Sequence, residues 1–299
     1  MGLPPLRAGQ YLSTRFPLVP VVLLVGALAL YFWGVQRQNR LHPRHPWSVG
    51  KSVAFVGAIV ATAVAVCSFI GVYQQELFWD HMIQHLLLIM VASPLFAISS
   101  PIDLTWRATS GRSHSRVSAL LRSGWSRFLG NPITAFCLYA VMIPITHLTS
   151  WYNFTLEHAV LDDIEHLVFL LIGYLFWRQI FGTDPNHARP EPGGQFLLLF
   201  LAIPVDTFTG LSLDQASREL FPAYLSFHRT WGVSPVLDLH IGGVLMWVGG
   251  DTLMLWPMIP VALRWMHLEE RRAARADREL DALALDPPSN TGQTLHGGA

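Results

Sequence analysis

Long apolar runs separated by short polar ones dominate this chain. Seven runs, at about 17–34, 52–73, 81–101, 132–149, 160–181, 195–213 and 239–263, each approach the ~20 residues a helix needs to cross a bilayer. The pattern predicts an all-α, polytopic membrane bundle of about seven transmembrane helices, a single unit over 1–263. A tail over 264–299 follows, helical and solvated to about 285 and expected to be disordered after about 287, where Pro, Ser, Asn and Gly take over. The first run also has the outline of a secretory signal, with Arg7 and Arg15 ahead of it and Ala27-Leu28-Ala29 near its end. The flank after it is the more basic one, which favours a retained helix with its N-terminus outside.

That orientation can be checked against the distribution of basic residues. With the N-terminus outside and the C-terminus inside, the inner loops, the tail and the inner end of the fifth run hold 16 of the 20 Lys and Arg. Such a bias is what retention of cationic loops on the cytoplasmic side produces. The inner loop 102–131 carries five Arg, and Val117, Leu120, Leu121, Trp125 and Phe128 form an apolar face. It reads as an interfacial helix on the inner leaflet. Composition agrees with a membrane protein: 52% hydrophobic residues and only 13% charged, against about 25% in soluble domains. The formal net charge of zero argues against nucleic acid as a partner. Cys67 and Cys137 stand far apart inside apolar runs, as neither a disulfide framework nor a Cys-x-x-Cys site.

The topology sorts the 13 histidines. His42, His45, His114, His187, His267 and His296 fall on the inner side and read as ordinary surface residues. His81, His85, His147, His158, His166, His228 and His240 fall in or near the outer half, those inside the membrane at similar depth on four helices. His81 and His85 are one helical turn apart, on one face, with Cβ atoms roughly 5–6 Å apart. Carboxylates accompany them: Asp80, Asp162, Glu165, Asp206, Asp238 and Asp251. An Asp within the membrane costs ~2.5–3.5 kcal/mol to insert, so such groups usually face the bundle interior and have partners. His240, Gly243, Trp247 and Asp251 form one stripe at spacings of three and four, expected to face inward.

Neutral imidazole suits copper, zinc, iron and nickel, and a carboxylate can ligate beside it or hold its second nitrogen. His81, His85, His147, His166 and His240 are therefore candidate metal ligands, with Asp206, Asp238, Glu165 and Asp162 in support. Met82 is a further candidate, although methionines in membrane helices more often fill the core. An i,i+4 histidine pair also serves as two interhelical hydrogen-bonders. Facing histidines such as His85 and His166 could hold a b-type haem. A zinc peptidase would need Glu inside the His-x-x-x-His spacing, and position 82 is Met. No Ser/His/Asp nucleophile pattern or phosphate-binding glycine loop is present, so no enzymatic activity is expected.

The stretch His81-Met82-Ile83-Gln84-His85-Leu86-Leu87, followed by Pro94 and Pro101, resembles the block "HMxQHLLL … PLL … P" of the caa3-type CtaG family of cytochrome c oxidase assembly factors. His147, Trp151-Tyr152, Glu165-His166, Phe169 and Phe176-Trp177 are similar to its next region. Pro204 with Asp206 resembles its proline–aspartate helix. Arg229-Trp231-Gly232-Ser234-Pro235-Asp238 and Gly242-Gly243, Met246-Trp247 resemble its last outer loop and helix. The likeness runs from about residue 50 to 260. Ser93-Pro94 replaces the expected paired prolines, Asp162 an expected histidine, and His240 stands where a glutamine variant is commoner. The Asp162 change would swap a nitrogen ligand for oxygen, or move that position behind the ligands. The resemblance implies a multi-pass protein of the bacterial plasma membrane that assists assembly of a haem–copper oxidase. Its metal is then expected to be copper, and its partners oxidase subunits or other copper chaperones, besides the lipid bilayer. A homodimer is left open. The rival readings are a copper or metal transporter, a haem-binding redox protein, and a chaperone that binds no metal.

Overall fold

The computed structural model describes residues 3–5, 9–10, 13–14, 16–183, 189–226 and 230–285, and among these the regular elements are all helical. Arg7, Arg15, His187, His228, Arg229, His296 and the segment after 287 lie outside the described residues. The chain runs α1 Leu18–Leu41, α2 Val49–Cys67, α3 Phe69–Tyr73 and α4 Phe78–Leu86. A π-helical segment, Leu87–Ala92, leads into α5 Ser93–Ser99 and α6 Pro101–Ala108. Next come α7 Gly111–Leu121, α8 Gly124–Leu129, α9 Pro132–Leu148, α10 Trp151–Leu156 and α11 Ala159–Phe181. They are followed by α12 Pro192–Asp214, α13 Pro222–Ser226 and α14 Pro235–Val244. A second π-helical segment, Leu245–Gly249, opens into α15 Gly250–Leu285.

Among the described residues five helical stretches are long and apolar enough to cross a membrane: Leu18–Leu41, Val49–Tyr73, Phe78–Ala108, Pro192–Asp214 and Pro235–Asp281. A sixth is reached if α8 and α9, bent by 65°, are taken as one span. Each of the seven apolar runs coincides with helix; the fifth is α11, which carries Asp162, Asp163, Glu165 and Arg178 and is not among these five. The last helix also runs on, unbroken from Gly250 to Leu285.

These helices leave apolar side chains on the outside, as lipid-facing surfaces do. Val19, Val22, Leu23, Val25 and Leu30 of α1 are all largely exposed, and only 11% of that span is buried, against 56% of Phe78–Ala108. The stretch with the histidine pair is thus the inner one. It packs against α2, α11 and α14. Close approach to α11 depends on Gly173, where a Cβ would stand 2.6 Å from Ser93 Oγ. The Ser93 hydroxyl lies 2.8 Å from the Leu88 carbonyl and 3.1 Å from that of Leu170, tying the π segment to α11. Pro94 has no N–H to offer the turn before it, and the chain widens into the π segment just there. At the other end of the same stretch, Asp103 is held by Lys51 at 3.4 Å and Arg107 at 2.7 Å. In the Arg-rich segment, Leu120, Trp125 and Phe128 are exposed on α7 and α8.

Candidate metal centre

Three of the five proposed ligands meet. His81 and His85 from α4 and His147 from the end of α9 each bring one ring nitrogen within 4.8 Å of the others, and all three rings are buried. The ring centroids lie 4.0 Å apart for His81–His85 and 5.1 Å for His85–His147. The i,i+4 spacing on α4 sets the first two edge to face. The C-terminal turn of α9 presents the third.

Hydrogen bonds fix which nitrogens are available. The buried Gln74 amide bridges His81 to Asp162. Its Nε2 donates to the carboxylate at 3.2 and 3.1 Å, and its Oε1 lies 3.1 Å from His81 Nδ1. A carboxylate accepts, so the amide nitrogen faces Asp162 and the oxygen faces the ring. His81 Nδ1 is then the donor, and a neutral ring keeps its lone pair on Nε2. That Nε2 is in short contact with Nε2 of His85. His147 follows the same rule: Nδ1 donates to the Ile143 carbonyl at 2.9 Å, leaving Nε2 with the lone pair. Among the described residues His147 Nε2 and His85 Nδ1 have no hydrogen-bond partner. A buried polar atom without a partner costs about 1–3 kcal/mol. The lone pair of His147 Nε2 and the close Nε2 pair of His81 and His85 are what a bound cation would satisfy, so the donor set fits a metal.

His166 stands at the edge of this group. Its ring lies 6.5 Å from that of His81 and 6.4 Å from that of His85, and its Nε2 is 3.7 Å from Asp162 Oδ1. With Asp162 and Asp163 it forms a second trio of groups within 4.8 Å of one another. Asp162 therefore lies behind His81, through Gln74, and beside His166. Glu165 is buried and accepts from Trp151 Nε1 at 3.2 Å and Thr155 Oγ1 at 3.3 Å. Asp238 reaches across from α14 and accepts the backbone N–H of Trp79 at 3.0 Å, capping the helix that bears the pair. Asp206 takes the Tyr139 hydroxyl at 2.9 and 2.7 Å on its two oxygens. A small cavity of about 20 Å³ lies between His85, His147 and Asp206, with Met82, Met90 and Met246 in its wall.

His240 is placed elsewhere. Its Nε2 donates to the Ala216 carbonyl at 2.8 Å, away from the trio. The stripe expected to face inward does so against α12, with Gly243 at the close approach. A Cβ on Gly243 would stand 2.7 Å from the Gly210 carbonyl, one on Gly210 would stand 2.7 Å from Trp247 Cβ, and Asp251 accepts from Thr207 Oγ1 at 2.7 Å. Toward α4, α14 presents Asp238 and Gly242, where a Cβ would collide with Phe78. His158 is exposed and bonds the Phe154 carbonyl of its own turn.

An aromatic roof closes the group on the side of α10 and α13. The Tyr152 ring lies 4.2 Å from His81, with Phe78 and Phe221 packed behind it. The hydroxyls of Tyr152 and Tyr224 are in short contact, and Tyr224 donates to the Gln74 carbonyl at 3.0 Å. Gln74, Tyr139 and Tyr224 were not anticipated from sequence, and Tyr152 stood only within the block that carries the family resemblance.

A family model for the cytochrome c oxidase caa3 assembly factor (Caa3_CtaG) matches residues 29–267. The chain belongs to that family. The match takes in every element of the site. Among curated relatives, an uncharacterized protein of Mycobacterium leprae is 27% identical over 280 residues, covering 89% of this chain and 42% of its own length. Uncharacterized proteins of Mycobacterium bovis and Mycobacterium tuberculosis are each 27% identical over 270 residues, covering 88% of this chain and 40% of theirs. The chain thus spans about two fifths of the length of the curated relatives it matches. No solved structure matches it. The helices support a multi-pass membrane protein.

Proposed function

We propose that this protein assists oxidase assembly by binding copper as cargo at His81, His85 and His147, and passing it to an oxidase subunit or another copper chaperone. The observation that carries this reading is the buried trio of imidazoles with unpartnered nitrogens. Gln74 and Asp162 hold His81 in the ligating tautomer, and the Ile143 carbonyl does the same for His147. Such outer hydrogen bonds orient ligands and raise their basicity. His166, at the rim, is the nearest further imidazole for a cargo entering or leaving.

We read the chain as seven spans in a bacterial plasma membrane, N-terminus out, with the trio toward the outer face. Its support is that the trio and the Lys51–Asp103–Arg107 group lie at opposite ends of Phe78–Ala108. A transporter would need donors continuing to the inner end. Of the two inner carboxylates, Asp103 is held in ion pairs and Asp251 by Thr207. Delivery at the outer face is therefore preferred to transport. The test is the copper content of purified protein, with and without His81→Ala/His85→Ala. Near-stoichiometric copper in the wild type and its loss in the variant are expected. Equal content in both would remove the pair from the site.

A further inference from the structure

The two π-helical segments among the described residues sit on different spans, yet they line the same small cavity. Leu87–Ala92 supplies Met90, and Leu245–Gly249 supplies Met246. Each π turn shifts the helical register, and such turns recur at functional sites because they re-aim side chains. Met82, one turn before the first π segment, adds a third thioether. His85 and His147, each with an unpartnered buried nitrogen, form the neighbouring wall.

The charge of this wall is simple. Asp206 is the one ionisable carboxyl lining the cavity, no Lys or Arg lines it, and the imidazole and thioether groups are neutral. The carboxylate lies alongside: a Cβ on Gly250, itself a lining residue, would stand 3.5 Å from Asp206 Oδ2. An ionised Asp206 balances one positive charge, whereas a divalent ion would leave a net charge buried among apolar groups. The volume of about 20 Å³ is that of roughly one water and excludes an ion with its hydration shell. Thioether sulfur is a soft donor that selects copper(I) over zinc(II) or copper(II).

We propose that this cavity is a seat for a dehydrated, soft monovalent cation, copper(I), held by thioether sulfur with imidazole nitrogen and balanced by Asp206. The proposal rests on the copper reading of the histidine trio and adds to it the oxidation state and the sulfur donors. It also accounts for methionines that side-chain packing alone would leave interchangeable with leucine.

The experiment uses the full chain, purified with Cys67→Ser/Cys137→Ser so that only methionine can supply sulfur. Copper(I) affinity is measured by competition with a chromophoric chelator, zinc(II) affinity in parallel, and the copper shell by X-ray absorption. The wild-type side chains should show sulfur in the shell. Met82→Leu/Met90→Leu/Met246→Leu, close in volume to the original side chains, should lose that sulfur and weaken copper(I) at least about tenfold. Zinc(II) affinity should change far less. Asp206→Asn should weaken copper(I) while keeping sulfur in the shell. A shell of nitrogen alone, or equal losses for both metals in the Leu variant, overturns the cavity seat and leaves the trio standing. Absence of copper(I) binding before any methionine is changed overturns both.

Discussion

Helices α4 and α14 carry nearly the same signals and use them differently. Each has an aspartate in its first turn, a histidine within two residues of it, and a π segment directly after its last residue. On α4 both histidines converge with a third from α9, while Asp80 is fully buried with neither oxygen hydrogen-bonded among the described residues. On α14 the aspartate is the satisfied one, capping α4, and the histidine is spent on a backbone carbonyl of the chain after α12. The difference lies in the neighbours. Helix α4 packs against several helices, so all of it except the half-buried stripe of Trp79, Ile83 and Leu86 is interior, both histidines included. Helix α14 shares a close seam with α12, built on Gly210 and Gly243, and whatever lies along that seam is committed to it. A polar stripe in a membrane helix thus reports that a partner exists, without saying which.

Four changes would sharpen or break this contrast. The largest effect is expected from His147→Ala, which removes the one trio member not on α4. Metal affinity should fall about a hundredfold or more in a competition titration, while the helix stays folded by circular dichroism. Gln74→Leu should come next. It frees the His81 ring and leaves Asp162 without its amide donor, for a loss of about 10–100-fold in metal affinity. Gly243→Leu attacks the other helix. A side chain there collides with Asp214 and Gly210, so thermal unfolding should show about 1–3 kcal/mol of lost stability with metal stoichiometry preserved. His240→Ala should do least, costing about 1 kcal/mol for the lost hydrogen bond and leaving metal affinity within about twofold. A loss for His240→Ala as large as that for His147→Ala would erase the distinction between the two helices.

The contrast also marks what the sequence could tell. The apolar runs located the helices, because insertion into lipid demands length and apolarity and little else. The i,i+4 spacing put His81 and His85 on one face, and depth alone placed His147 with them. Depth could not orient His240, since every residue on a helix at that level has the same depth. Gln74 lies beyond the end of α3 with no period to single it out, so its bridge to Asp162 needed the fold. Tyr139 is one aromatic among many in an apolar run, and Tyr152 carried only a family likeness, until their hydroxyls found Asp206 and Tyr224. The π segments were hidden as well: one extra residue per turn leaves no compositional trace, yet it decides where Met90 and Met246 point.

The aromatic roof has a kinetic side. With His81 at 1% exposure beneath Tyr152, and His147 at 2% beside Phe169, a ligand seated among the rings is covered while the bundle is at rest. Residence time is then set by how often Tyr152, Tyr224 and their short helices part, an opening whose cost belongs to the protein. A recipient that pried α10 from α13 would hasten hand-over without competing for a single ligand bond.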